Sequence, residues 1–473
     1  MYPIDLLPSP LHVLDHAFSV LNSFQLSRRP TPAVRPTPVH FDINIGLNND
    51  TGFFPERPLP RLPEAYAIWE DALARAQEVL VLGDDLTDDD TERRASGELW
   101  RAQIRSFPVI SSDALNADKQ LLRRAHKVLA FLVHFYVHSI PPRENNDPII
   151  VPRSLVAPLL EVSAILQMAP VLTFADTVLW NWSLINPDLP VTMDNMEMGT
   201  ELFSGTEDER NFYLTSAKAE MKGIEMLRVF DEYHNLPNVT DLSSICKINR
   251  LLTRLRSIVQ EIEQIILSVR EIVDPHMFYW EVRPWFNGSA SGASKPAWIY
   301  EGVRNTELLD LSGPSAGQSS VMHALDIFLD IDHKIQQRRY PAPSEGNKRA
   351  DHGFMERMRR YMPGRHREYL AYLGSTRPLR DVAQNVPAVR EQYNAAVTAL
   401  KKFRDSHMRI ACLYIVTMSR SSPPPGCPMF AMMQRMERQK ASTGPVTGTG
   451  GNELSLLLKA GRDATTRAVL KGN

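Results

Sequence analysis

The chain reads as mainly α-helical. Apolar residues recur at spacings of three and four along most of the sequence after Pro63, and the apolar–polar alternation of strands is scarce. Helix-starting residues with acids close behind them open several of the periodic segments.

Residues 1–60 are the exception, being Pro-rich and irregular with extended pieces such as "VHFDINIG". The helical period begins in "PEAYAIWEDALARAQEVL", where Pro63 stands near the first turn and acids come early. "DKQLLRRAHKVLAFLVHFYVHSI" and "SLVAPLLEVSAILQMA" are apolar enough to be buried helices. "TEDERNFYLTSAKAEMKGIEMLRVFDEYH" starts on a Thr cap with acids in its first turn. In the next segment Ile245, Ile248, Leu252, Leu255, Val259, Ile262, Ile266 and Val269 form one stripe at helical spacing. "PAVREQYNAAVTALKKFRDSHMRIACLYIVTM" predicts a further long helix. "RRYPAPSEGNKRADHG" and the stretch from Ser419 to Thr449 read as mobile loops, since long loops in compact domains are usually functional or disordered. The loop "MGTELFSGTEDE" separates two helical halves and sets a boundary between residues 1–202 and 203–473.

At roughly 150 residues per domain, a chain of 473 residues suggests two or three domains. Apolar residues make up 43% of it, enough for a sizeable core. The 53 basic and 55 acidic residues leave no dominant sign, which argues against a nucleic-acid partner. Three cysteines are too few for a disulfide framework and point to a reducing compartment. The N-terminus lacks the basic and apolar regions of a signal peptide, and no apolar run is long enough for a membrane span. The expectation is a cytoplasmic protein.

Five stretches carry candidate chemistry. "GPSAGQSS" (residues 313–320) lacks the Lys-Ser/Thr ending of a phosphate loop, so it reads either as a helix cap through Ser319 or Ser320, or as backbone that approaches a ligand plane. His407 lies in line with an apolar stripe; the plainer reading is a core histidine, and the sharper one is a haem ligand, with Arg404 one turn earlier. Arg283 stands amid Phe278, Tyr279, Trp285 and Phe286, either as a carboxylate clamp in an apolar pocket or as a snorkelling core residue. His134 and His138 have the i, i+4 spacing of zinc ligands, but Phe135 replaces the expected Glu, which favours packing. Phe212 and Ser216 share a helix face in "NFYLTSAK" and are ordinary by themselves.

Taken in order, "FYLTSAKAEMKG", "FYWEVRPWFNG", "SGPSAGQSSVMHALDIFL", "MRRYMPGRHREYL", "YNAAVTALKKFRDSHMRIACLYI" and the late "GTGG" resemble the indoleamine 2,3-dioxygenase family, its fungal members above all. The resemblance is clearest between residues 170 and 465. It implies a small N-terminal domain and a larger all-helical domain that holds haem b, ferrous in the active state. It implies insertion of both atoms of O2 across the indole C2–C3 bond of tryptophan, giving N-formylkynurenine, with a cellular reductant restoring ferrous iron. His407 matches the proximal iron ligand, and Asp326 is the acid that would pair with Arg404. Phe174, Phe212, Ser216 and Phe278 match residues of the indole and oxygen pocket, with Tyr213 and Tyr279 beside them. Arg283 matches the substrate-carboxylate clamp. Ser315 and Ala316 match the loop edging haem and substrate, with Ser315 near a propionate, and Thr449 matches a lid residue. None of the distal matches is a His or a carboxylate, so no strong general acid is expected there.

Several positions depart from the family pattern. Pro314 stands where Gly is frequent and removes an N–H from that loop. Phe174 replaces a Tyr of some members, Trp280 and Trp285 add bulk around Arg283, and the 419–449 loop is longer and Met-rich. The alternative readings keep fold and haem but take a different indole, or make the chain a weakly active haem-binding or signalling relative.

Overall fold

The computed structural model describes residues 50–86, 90–141, 147–289, 296–422, 447–449 and 453–471. The expected extended piece "VHFDINIG" and most of the 419–449 loop lie outside the described residues.

The mainly α expectation holds. Ten helices of nine or more residues are described: α1 Ala67–Val79, α2 Thr91–Ser106, α3 Lys119–His138, α4 Arg153–Leu166, α5 Glu207–His234, α6 Leu242–Ile272, α7 Ser320–Phe328, α8 Gly364–Ser375, α9 Pro387–Ala411 and α10 Leu454–Ala468. Strands are three residues long. β1 (Ile149–Val151) runs parallel to β4 (Trp298–Tyr300), and β2 (Trp182–Leu184) pairs antiparallel with β3 (Met196–Met198). The β1–β4 pair links chain on both sides of residue 202.

Helix starts follow local chemistry. The Asp118 carboxylate accepts from the Gln120 and Leu121 amides at the head of α3. Thr206 accepts from the Glu209 amide at the head of α5, as its sequence predicts, and Asp241 does the same for Ser244 in α6. The stripe on α6 is buried at Ile248, Leu252, Leu255, Val259, Ile262 and Val269, where it packs on α5 and α9. α9 buries Val389, Tyr393, Val397, Leu400 and Phe403 between α6 and α10. Each such apolar side chain contributes about 1.5–3 kcal/mol on leaving water.

One local expectation changes. The stretch 338–353 was expected as a loop, yet it holds the helical turn Glu345–Arg349, started by a reciprocal Ser344–Asn347 capping box. Asn347 is buried and also donates to Asp463 on α10 at 2.9 Å, which fixes the turn to the bundle. His134 and His138 bond to the Trp285 and Asn287 carbonyls at 2.7 and 2.8 Å, so they brace the segment between α6 and β4, in keeping with the packing reading. Among the described residues no helix is long and apolar enough to cross a membrane.

Candidate active site

A cavity of about 400 Å³ opens between α5, α6, α9, the head of α10 and the 313–319 loop. Its walls bring together nearly all the candidate residues. Phe174, Phe212, Tyr213, Ser216, Phe278 and Arg283 line one part; Ser315, Ala316 and Thr449 line a second; Asp326, Arg404 and His407 line a third. Of the residues expected at substrate or cofactor, Tyr279 alone is not in the lining, and it touches the site through Arg283, whose guanidinium lies over its ring at 5.4 Å.

Three wider, π-helical turns shape these walls: Ala175–Leu179 directly after Phe174, Phe278–Val282 directly before Arg283, and Cys412–Thr417 at the end of α9. An extra residue per turn shifts the register of the side chains that follow, and such turns cluster at functional sites. Pro284 then tightens the chain into a 3-10 turn, Arg283–Phe286.

The aromatic wall is packed ring on ring. Phe212 lies 4.6 Å from Phe278 and 6.2 Å from Phe286 between centroids. Tyr213 shows its ring to the cavity while its hydroxyl donates to Glu209 at 2.8 Å. Burial and then the Glu209 charge push that phenol well above its usual range, so it stays protonated. Arg283 donates from Nη2 to the Thr447 carbonyl at 2.7 Å. Its Nε is buried without a partner, and among the described residues no carboxylate lies within ion-pair distance. Burial pulls its pKa below the ordinary guanidinium value, the sign of a desolvated charge without a counter-ion.

The small-residue loop has two jobs. Gly313 is required by packing, since a Cβ there would sit 1.7 Å from the Phe286 carbonyl oxygen. Pro314 to Gly317 then run along the cavity. Gln318, which sequence reasoning passed over, holds the loop: its Nε2 donates to the Gly313 carbonyl at 2.9 Å and its Oε1 accepts from the Phe174 amide at 2.8 Å. Ser319 supplies the cap of α7. Thr449 donates its hydroxyl to the Pro314 carbonyl at 2.7 Å, and the Gly313 amide donates to the Thr449 carbonyl at 3.3 Å, so this strap is bonded down over the loop.

His407 faces the cavity with its ring parallel to Phe403, 6.3 Å away, and among the described residues neither of its nitrogens has a hydrogen-bond partner. Burial, then the Arg404 charge, lowers its pKa, which leaves a neutral imidazole with a free lone pair. Arg404 Nη2 donates to both oxygens of Asp326, and Asp326 also pairs with His333 at 2.7 Å. Burial alone would raise the Asp326 pKa, but Arg404 and His333 outweigh it and hold the carboxyl well below the usual range.

The sequence matches the indoleamine 2,3-dioxygenase family model over residues 42–468. The chain belongs to the indoleamine 2,3-dioxygenase family. It is 28% identical over 431 residues to indoleamine 2,3-dioxygenase 1 of Mus musculus, covering 90% of this chain and 94% of the relative. It is 28% identical over 457 residues to the indoleamine 2,3-dioxygenase of Saccharomyces cerevisiae, covering 91% and 94%. With a Penicillium citrinum indoleamine 2,3-dioxygenase it shares 30% over 454 residues, 91% and 90% of the two chains. The protein is an oxidoreductase of the dioxygenase class.

This family is haem-dependent, and the cavity fits such a group. A neutral, unpartnered imidazole on an apolar wall is the donor that haem iron takes, and nearby Arg404 is oriented by Asp326. One feature was not expected of a family cavity without a distal acid. Glu220, one turn beyond Ser216 on α5, lines the cavity and accepts the Ser319 hydroxyl with one oxygen, while the other has no partner among the described residues. Burial raises its pKa to about 7. A lone acid at i+4 from Ser216, on a helix face otherwise apolar toward the core, was the signal available in the sequence.

Proposed function

We propose that the protein cleaves the indole C2–C3 bond of tryptophan with O2 to give N-formylkynurenine, using haem b carried by His407. The observation that supports this best is Arg283: among the described residues a buried guanidinium without a counter-ion, on the same apolar cavity as an unpartnered imidazole. An amino acid with a large flat side chain answers both features at once. When bound, haem supplies the iron that binds and activates dioxygen.

The chain's own residues do the rest. Phe174, Phe212 and Phe278 clasp the indole and keep water out. Arg283 takes the substrate carboxylate in charge-assisted hydrogen bonds, and Tyr279 backs its guanidinium. Ser216, Ser315 and Ala316 border the substrate, and Thr449 holds the strap over it. Arg404 and Asp326 orient the His407 side of the cavity and, with Ser315, meet the polar edge of the cofactor. In this reading residues 1–202 form the N-terminal domain and bring Phe174, Thr177 and Val178 to the cavity, and residues 203–473 supply the rest of the lining. Both oxygen atoms enter the product, so turnover needs no net electrons. A cytoplasmic reductant serves only to restore ferrous iron.

A second reading, a substituted indole in place of tryptophan, is favoured by Pro314 and Glu220. Proline offers no N–H to an amino-acid substrate, and Glu220 adds a polar group to the wall. The deciding experiment reconstitutes the protein with haem, reduces it without oxygen, and then adds oxygen with tryptophan or with ring-substituted indoles. N-formylkynurenine from tryptophan at the highest kcat/KM is the expected result. Turnover confined to another indole sinks the tryptophan assignment, and no turnover of any indole sinks the catalytic reading.

A further inference from the structure

A second cavity, of about 270 Å³, lies between the end of α5, α7 and the turn that follows α8. It shares Asp326, His333 and Met355 with the first cavity, so the two are neighbours across one wall. Its character is more polar, because seven of its sixteen lining residues are charged or carry an imidazole. Arg359, Arg377, Asp326, Asp330, His234 and His323 all reach its lining.

The charges do not cancel locally. Asp326 is taken by Arg404 and His333, and Asp330 by Arg339, with Arg380 at 3.7 Å. Arg359 and Arg377 have no such partner: among the described residues neither has a carboxylate within ion-pair distance. Arg359 donates from Nε to His323 Nδ1 at 3.2 Å. His323 donates in turn from Nε2 to the Gly317 carbonyl at 2.8 Å, which fixes its tautomer and leaves Nδ1 as the acceptor. Burial, then Arg359, lowers its pKa to about 4, so it stays neutral and aims the guanidinium without cancelling it. The two terminal nitrogens of Arg359 are left without a partner among the described residues. Arg377, exposed at the mouth, spends one nitrogen on the Leu236 carbonyl at 3.3 Å. His234 in the same wall has a buried Nδ1 with no partner among the described residues.

We propose that this second cavity binds a small oxyanion, a phosphate ion or a compact phosphate monoester, between Arg359 and Arg377. Guanidinium forks match the oxygens of such a group, and two of them that lack acids are the arrangement that selects it over a monovalent halide. The proposal stands apart from the haem reading. Its consequence for the first cavity runs through Asp326 and His333, which belong to both walls.

The test is isothermal titration of the purified full-length chain with inorganic phosphate, with glycerol phosphate, and with chloride at matched ionic strength. Saturable binding of either phosphate compound, absent with chloride, is expected, and the tighter of the two identifies the form taken. Arg377→Gln, which among the described residues gives up only a long bond to a carbonyl, should weaken that binding at least tenfold. Arg359→Gln should do the same, and Arg359→Lys should restore part of it because the positive charge remains. Thermal melts of each variant identify any that fail to fold, and Arg377→Gln then carries the test. Binding indistinguishable from the chloride effect, or unchanged in a folded Arg377→Gln, overturns the proposal.

Discussion

Arg404 Nη2 donates to both carboxylate oxygens of Asp326, at 2.5 and 2.7 Å. The pair ties α9 to α7 beneath the cavity, and both side chains are largely shielded from water, with 12% and 6% of their surface exposed. Removing one partner of such a pair leaves the other charged and desolvated. Asp326→Ala should therefore lower stability by about 3–5 kcal/mol, read as a fall in the urea midpoint. The pH dependence follows from the direction of the shift. A carboxyl held below its unfolded value contributes stability that is complete above about pH 4 and is lost as pH falls through its folded value. Wild type and Asp326→Ala should converge in strong acid, and a constant gap down to that range contradicts the pairing.

His407 makes no hydrogen bond among the described residues. Truncating it costs the cofactor-free fold little, whereas the loss of an iron ligand costs the bound group its attachment. The expected result for His407→Ala is a melting temperature near wild type without haem and no Soret band after reconstitution. Full Soret intensity in that variant removes His407 from the role of ligand.

Arg283 spends one nitrogen on Thr447 and leaves Nε unpartnered among the described residues. If a substrate carboxylate completes it, Arg283→Ala forfeits roughly 1.5–3 kcal/mol of charged hydrogen bonding, a rise in KM of about 10- to 150-fold. The same change should leave KM for a decarboxylated indole nearly unaltered. An equal loss with both substrates shows that Arg283 acts through packing instead.

The helices and most of the cavity wall were legible because their signals are local. Helical spacing on α6, the Thr206 cap and the Arg404-to-His407 turn all lie within a few residues of each other. What stayed hidden depends on partners far away in sequence. The role of Gln318 needs Phe174, 144 positions earlier, and Glu220 acquires its character from Ser319, 99 positions later. The turn at 345–349 was hidden by Pro and Gly around it, and its hold on α10 comes from Asn347 and Asp463. The small residues of the 313–320 loop suggested close approach to a ligand, and at Gly313 the close approach is instead to the Phe286 carbonyl.

Glu220 sets the last expectation. Its unpartnered oxygen sits in the wall of an apolar cavity, and burial raises its pKa to about 7. A raised carboxyl contributes stability that is fully present below its unfolded value, near pH 4.5, and declines as pH climbs toward the folded value. The wild-type protein should lose about 2.5 kcal/mol between pH 5 and 8 from this group alone. Glu220→Gln keeps an acceptor for Ser319 and cannot ionise, so its urea midpoint should vary less over that window and exceed wild type at pH 8. The same substitution should flatten any change of the bound haem spectrum centred near neutral pH, because a charge would no longer appear in the wall. Parallel stability–pH curves for the two proteins would mean that Glu220 is ionised in the folded chain at pH 5, with a cation or water meeting its second oxygen.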